Sequence, residues 1–199
     1  MLHEVVVGGK FWKQLIEIDE QIASRVAARG CPHCGGRLHR GDYIRKPRGG
    51  LVALGAEEGA ARRISLCCDR EGCRRRALPP SVRFLGRKVY VGAAIVIACV
   101  IAQVSATAAT ARRASGIAPR TVRRWSRWWR KGYAQSPHFA EARARLMPPV
   151  EVSELPGGLW ARFATHAGDA LVGLARLLGF VAPSTTASVP DGSRFVRVP

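Results

Sequence analysis

The sequence predicts an α+β protein in which a small ribbon of two to three short strands is joined to a mainly α-helical domain. Two groups of cysteines, at 31–34 and 67–73, flank strand-like sequence, and apolar residues recur at helical spacing on both sides of that region. The 199 residues are enough for one or two small domains. The expected divisions are an N-terminal helix at 1–30, the ribbon at 31–80, a helical domain at 81–134, a C-terminal helical segment at 135–182 and a poorly ordered tail at 183–199.

The N-terminal segment predicts an amphipathic helix that ends near Gly30. Its apolar residues recur every three or four positions, at Phe11, Leu15, Ile18, Ile22 and Val26. Polar residues fall between them, among them Asp19, Glu20 and Arg25. We therefore expect a helix that packs its apolar face on the protein or on a second copy.

The region after the first cysteine pair changes to short polar–apolar stretches, which are typical of strands. Two such stretches, 38–44 and 63–66, are separated by a glycine-rich loop at 49–59, which predicts a ribbon with a long tip. The first cysteine pair has C-x-x-C spacing and is followed by two glycines. This pattern is typical of a zinc knuckle, because it brings two thiolates to one side of a tight turn.

Four cysteines are the predicted ligands of a structural zinc ion: Cys31, Cys34, Cys68 and Cys73. Neighbouring strand residues point in opposite directions, so only one of Cys67 and Cys68 is expected to face the metal. Cys68 is preferred because its separation from Cys73 makes the tighter turn, and Cys67 remains the alternative. His33 and His39 lie nearby as substitutes. A site closed by four thiolates has no open position for water, so the zinc should stabilise the fold and not catalyse a reaction.

The most apolar stretch, 89–104, falls short of the roughly 18–20 residues that a membrane-spanning helix needs. Basic residues precede it and Gln103 lies near its end, so we expect a buried helix in which Cys99 is a core thiol. The N-terminus lacks the basic start and long apolar run of a secretory signal. A reducing compartment is therefore expected, where paired cysteines are typically metal ligands.

Residues 108–131 predict a helix-turn-helix. Gly116 suits a left-handed turn, Ile117 follows it as an apolar contact, and Pro119 suits the first turn of a second helix. The inner face of that helix is apolar and consists of Val122, Trp125 and Trp129. The alternative is a basic amphipathic helix that packs on the domain by its tryptophans.

A formal net charge of +18 and a sequence pI of about 11.2 predict a polyanionic partner, and nucleic acid is the commonest polyanion. Much of the charge is arginine, which favours forked contacts with phosphates and guanine edges. The outer face of the second helix supplies the expected contacts, namely Arg120, Thr121, Arg123, Arg124, Arg127 and Arg130. A further basic run, expected to contact phosphates, consists of Arg74, Arg75 and Arg76.

The order of a CPxCG knuckle, a short ribbon, a hydrophobic helix and a GIAPRTVRRW helix-turn-helix resembles that of transposon-associated zinc-ribbon proteins and transposase N-terminal regions of bacterial insertion sequences. The resemblance covers residues 31–131. It implies binding to double-stranded DNA at element ends or at a promoter through the second helix. It also implies a bacterial, cytoplasmic and nucleoid-associated protein that works with a transposase of the same element and not with a membrane. A homodimer is expected by analogy with other helix-turn-helix proteins.

No enzymatic activity is expected. A transposase needs three metal-binding carboxylates in a ribonuclease-H-like core, and the late acidic residues lie in no strand-like apolar context; they are Glu141, Glu151, Glu154, Asp169 and Asp191. The C-terminal segment instead predicts one amphipathic helix at 160–178. We therefore expect an accessory or regulatory DNA-binding protein. The alternatives are an RNA-binding protein of ribonucleoprotein assembly and the DNA-binding N-terminal fragment of a transposase.

Overall fold

A computed structural model describes residues 9–45, 58–84, 120, 123, 127–165 and 167–185. Within these residues, helices and two small antiparallel sheets surround two hydrophobic cores, and the α+β class is confirmed. The longer helices are α1 (Gly9–Arg29), α2 (Pro137–Arg143), α3 (Gly157–Thr165) and α4 (Ala170–Val181). Short 3-10 helices cover Glu58–Ala61, Val152–Glu154 and Ala182–Thr185, and a π-helical turn covers Trp128–Tyr133. The strands are β1 (Leu38–Arg40), β2 (Tyr43–Ile44), β3 (Arg62–Arg63), β4 (Leu66–Cys68) and β5 (Arg76–Ala77).

The predicted N-terminal helix corresponds to α1. Its first apolar residues are buried, and Trp12 is buried beside Phe11 with the two rings edge to face. The helix ends where Gly30 takes a left-handed conformation (φ 76°) and its N–H donates to the Ala27 carbonyl at 3.1 Å. Asp19, one of the polar residues that fall between the apolar positions, is also buried, with 1% of its surface exposed.

The strands form two sheets rather than one ribbon. The three-stranded sheet has the order β1-β4-β5, with Leu38 opposite Cys68 and Cys67 opposite Arg76, and all its pairs are antiparallel. The two-stranded sheet pairs β2 with β3, so that Tyr43 lies opposite Arg63. The chain therefore leaves the three-stranded sheet after β1, forms the two-stranded sheet with β2 and β3, and returns to the three-stranded sheet as β4.

Two separate cores hold these elements. The larger core joins α1 to the C-terminal helices and to the aromatic residues of the π-helical turn, with Leu15, Trp129 and Leu177 fully buried. The smaller core lies within the three-stranded sheet and consists of Cys31, Leu38, Leu66, Cys68 and Ala77. The last turns of α1 pack against this smaller core through Val26 and Ala27. Helix α1 therefore contributes to both cores.

Where one helix was predicted at 160–178, the chain forms two, α3 and α4. Gly168 takes a left-handed conformation (φ 66°) between α3 and α4, and the Asp169 carboxylate accepts the Leu171 N–H at 2.8 Å as the cap of α4. Of the predicted tail, 183–185 continue from α4 as a 3-10 helix and Thr185 is buried, while 186–199 lie outside the described residues.

Among the described residues, no helix has both the length and the apolar character needed to cross a bilayer. The apolar stretch 89–104, with Cys99, lies outside the residues that the structure describes.

Candidate metal centre and basic surfaces

Four cysteines converge at one end of the three-stranded sheet: Cys31, Cys34, Cys68 and Cys73. Their sulfur atoms all lie within 4.8 Å of one another, and all four are free thiols. The Sγ atoms of Cys31 and Cys73 are 3.8 Å apart, and those of Cys34 and Cys68 are 3.5 Å apart. Tetrahedral Zn–S bonds of about 2.3 Å would place the sulfurs about 3.8 Å apart, so the donor set fits such an ion. The four side chains predicted to share a metal site are therefore brought together.

The first knuckle is closed by its own backbone. The Cys31 N–H donates to the Gly36 carbonyl at 2.7 Å, and the Gly35 N–H donates back to the Cys31 carbonyl at 2.8 Å. Gly36 permits the approach of the second knuckle, because a Cβ there would lie 3.0 Å from the Cys68 sulfur and 3.3 Å from the Cys34 sulfur. Gly36 is thus required by packing against the sulfurs, and Gly35 by the left-handed conformation of the turn (φ 69°).

The second knuckle follows β4. The Cys73 N–H donates to the Arg70 carbonyl at 3.1 Å, and Gly72 supplies the left-handed residue of the turn (φ 80°). Cys68 is buried within the cluster, whereas Cys67 points to the opposite side of β4, with its Sγ 3.5 Å from the Arg74 carbonyl oxygen. The structure therefore places Cys68, and not Cys67, with the other three thiols.

The two nearby histidines lie outside the sulfur cluster. The Nε2 atom of His39 is 3.1 Å from an Asp69 carboxylate oxygen, and Arg75 is hydrogen bonded to Nδ1 of His33 at 3.2 Å. The four thiols therefore form the candidate centre without an imidazole.

The thiols differ in how readily they ionise. Hydrogen bonding from the His33 backbone is the largest influence on Cys31 and lowers the pKa of its thiol to about 7. Burial raises the pKa of the Cys68 thiol to about 12. Because a thiolate is the metal-binding form, the lowered pKa favours that form at Cys31 more than at Cys68.

Arginines surround the cysteine cluster on the solvent side. The Arg70 guanidinium donates to the Cys34 carbonyl at 2.8 Å, and Arg74 and Arg75 are exposed beyond it. Arg76 is exposed in β5, an edge strand of the three-stranded sheet, where it lies opposite Cys67 and thus on the side of the sheet away from the cluster. Four thiolates around a divalent ion would carry a net negative charge, which Arg70 beside Cys34 would help to offset.

The second basic surface lies before and within the π-helical turn. Arg120, Arg123 and Arg127 have helical backbone conformation and exposed side chains. On an ideal α-helix, with 100° per residue, these three sequence positions would fall within an arc of about 60°. Arg130 is exposed as well, whereas Trp129 is fully buried and meets both Trp128 and Tyr133 edge to face at centroid distances of 4.9 Å. These four arginines are called the arginine stripe. They are exposed before and within the π-helical turn that holds the fully buried Trp129.

Most of the predicted helix-turn-helix lies outside the described residues, namely its first helix, the turn at Gly116 and the second-helix residues Thr121, Val122, Arg124 and Trp125. Sequence reasoning missed the environment of Tyr43, which contacts two arginines through its ring. The available signal was Arg45, which lies two positions after Tyr43 at the spacing of one strand face, but basic residues are so frequent in this chain that the pair did not stand out.

Comparisons with protein-family models, with curated proteins and with solved structures find no match to this chain.

Proposed function

We propose that this chain is a zinc-stabilised, sequence-specific binder of double-stranded DNA that serves a mobile genetic element as an accessory or regulatory protein. The observation that carries the proposal is the arginine stripe. Its side chains are exposed to solvent, and the fully buried Trp129 anchors the same segment in the larger core. A rigidly anchored helix with exposed arginines is the arrangement by which major-groove readers meet base edges and phosphates.

The metal centre has a structural role in this proposal. Zinc bound by the four cysteine thiolates would leave no open coordination position, so it would supply folding free energy and no reaction chemistry. The arginines beside the cysteines, Arg74 to Arg76, then contribute phosphate contacts from a sheet that the metal holds in shape. The chain acts without enzymatic activity in the bacterial cytoplasm, and a transposase of the same element is its expected protein partner.

The test is binding of the zinc-loaded protein to a randomised duplex library, followed by measurement on the selected sequence between about 50 and 200 mM salt. We expect a steep fall in affinity with salt, because arginine–phosphate contacts release counterions. Arg120→Ala and Arg123→Ala should relax the selected sequence preference, by about 1–3 kcal/mol of discrimination for each lost base contact. Arg76→Ala should weaken binding to all sequences alike.

The matched control is Arg143→Gln, because Arg143 already pairs with Glu151 at 2.9 Å and should lose little DNA affinity. Equal losses on every sequence for Arg76→Ala, Arg120→Ala and Arg123→Ala would refute base reading by the stripe. Preference for structured RNA over duplex DNA in direct competition would instead favour ribonucleoprotein assembly.

A further inference from the structure

Tyr43 lies at the centre of a cluster of arginines that joins the two sheets. The guanidinium carbon of Arg45 is 4.6 Å from the Tyr43 ring centroid, and Arg45 Nη2 donates to the tyrosine hydroxyl at 2.9 Å. The guanidinium carbon of Arg76, on the neighbouring sheet, is 5.7 Å from the same centroid. Both distances lie within the range of cation–π attraction. One aromatic ring therefore orients two cationic side chains, Arg45 just after its own strand and Arg76 on the neighbouring sheet.

The carboxylates near this cluster are already paired with a different arginine. Arg40 binds both Glu20 and Asp42, and Asp42 also accepts the Ser65 N–H at 3.2 Å. The hydrogen bonds of Asp42 outweigh its burial and lower the pKa of its carboxyl group, so it stays ionised and bound to Arg40 at neutral pH. The acidic groups of this region therefore compensate Arg40 rather than the arginines at Tyr43.

Neutral groups hold the two clustered arginines. Arg45 contacts the ring and hydroxyl of Tyr43, and Arg76 contacts that ring and lies 3.5 Å from the Ser65 hydroxyl. Within the described part of the chain, neither guanidinium forms an ion pair with a carboxylate. A cation oriented by neutral groups keeps its full charge for an anionic partner.

A buried cation strengthens the positive potential beneath the cluster. Arg63 lies opposite Tyr43 in the two-stranded sheet and has 1% of its surface exposed. Its Nη2 donates to the Pro79 carbonyl at 2.5 Å, while its Nε atom is buried without a partner in the structure described here. The potential at the surface above it is therefore raised by a charge that solvent screens poorly.

We propose that Tyr43, Arg45 and Arg76 form a second contact site for the phosphate backbone of duplex DNA, with Tyr43 as the residue that positions the two guanidinium groups. The inference rests on the proposed DNA binding and extends it to a surface separate from the arginine stripe. Guanidinium forks match phosphate oxygens, and contacts of this kind fix the orientation of a protein on the duplex without reading its sequence.

The experiment uses the full-length, zinc-loaded protein and a fluorescent duplex of arbitrary sequence, with affinity measured at several salt concentrations. Arg45→Gln should make the slope of log affinity against log salt less negative by about 0.9, which corresponds to the loss of one phosphate contact. Arg45→Lys should keep most of that slope because it keeps the charge. The matched control is Arg25→Gln, which removes an exposed arginine from α1.

Tyr43 is tested without any change of charge. Tyr43→Leu removes the ring and hydroxyl and should weaken DNA binding several-fold, and Tyr43→Phe, which keeps the ring, should weaken it less. Neither substitution changes the net charge of the protein, so a loss of affinity would report the positioning role of Tyr43. Unchanged zinc content and circular dichroism would show that each variant is folded.

The outcomes separate the two proposals. Wild-type protein that fails to bind any duplex refutes the proposed function itself. Wild-type protein that binds duplex DNA while Arg45→Gln and Arg25→Gln behave alike refutes the second contact site and leaves the proposed function standing. Tight binding of structured RNA by wild type, lost in Arg45→Gln while duplex binding is unchanged, would also overturn it.

Discussion

Asp19 is a buried carboxylate in α1, four residues after Leu15 and therefore about 40° from it around the helix, at the edge of the apolar face. Its oxygens accept hydrogen bonds from the Ser81 hydroxyl at 2.6 Å, the Val82 N–H at 2.7 Å and Arg83 Nε at 2.8 Å. Arg83 is equally buried and also donates to the carbonyls of the 3-10 helix before β3. Asp19 thus joins α1 to residues more than 60 positions later, and no local pattern reveals such a partner.

Asp19→Asn should lower the free energy of unfolding by about 3–5 kcal/mol, because it leaves Arg83 as an unpaired charge in the core. Urea unfolding followed by circular dichroism measures the change. The matched control is Glu20→Gln at the next position, where the carboxylate is exposed and pairs with Arg40 on the surface. That variant should lose no more than about 1 kcal/mol. Similar losses for the two variants would contradict the structural role given to Asp19.

At the scale of the elements, α3 and α4 pack closely against each other at Gly173. A Cβ added at Gly173 would lie 3.2 Å from the Ala164 Cα and 3.2 Å from the Phe163 carbonyl oxygen. Both are backbone atoms, so a side-chain rotation cannot relieve the contact. The close packing of the two helices therefore depends on this glycine.

Gly173→Ala should destabilise the protein by about 1–3 kcal/mol, because it forces α3 and α4 apart. Thermal unfolding would report the change as a lower Tm. Gly157→Ala is the control: Gly157 is also helical, but nothing lies within 4 Å of a Cβ at that position. The control should be neutral or stabilising by up to about 1 kcal/mol, since alanine favours the helix. A destabilisation at Gly157 as large as that at Gly173 would argue against the packing explanation.

At the scale of the whole molecule, the two cores predict two separable responses to metal removal. The smaller core has five buried residues, two of them candidate ligands, whereas the larger core is built from helices and aromatic residues away from the cysteines. Chelation of the zinc-loaded protein should therefore abolish hydrogen-exchange protection in β4 and retain most of the helical circular dichroism. Complete unfolding, or full protection after chelation, would contradict this division.

Two cysteine variants and a pH series test the same centre. Cys68→Ser should lower zinc content and reproduce the effect of chelation, while Cys67→Ser, one position away on the opposite side of β4, should leave zinc content unchanged. Zinc affinity should rise with pH, because the metal displaces protons from the thiols. Acidification should therefore protonate the thiols, release the metal and lower the stability of the sheet.

The candidate metal centre was the most predictable part of the molecule. Ligand spacing and the alternation of side chains along a strand sufficed to select Cys68 over Cys67, because both are local properties of the chain. Helix α1 was predicted for the same reason, because the spacing of its apolar residues is also a local property of the chain. The division between α3 and α4 was missed, because continuous apolar periodicity on both sides outweighed the turn signal of a single glycine, Gly168, and its neighbour Asp169.

The sequence by itself determined the cysteine knuckles, the amphipathic first helix and the strongly basic character of the chain, since each depends on neighbouring residues or on composition. Only the tertiary structure decided that Asp19 is a core residue and that the Tyr43 ring contacts both Arg45 and, on the other sheet, Arg76. The partners in these contacts are distant along the chain or lie on different strands. Burial and cation–π attraction act on spatial neighbours, and these neighbours exist only once the helices and sheets have packed.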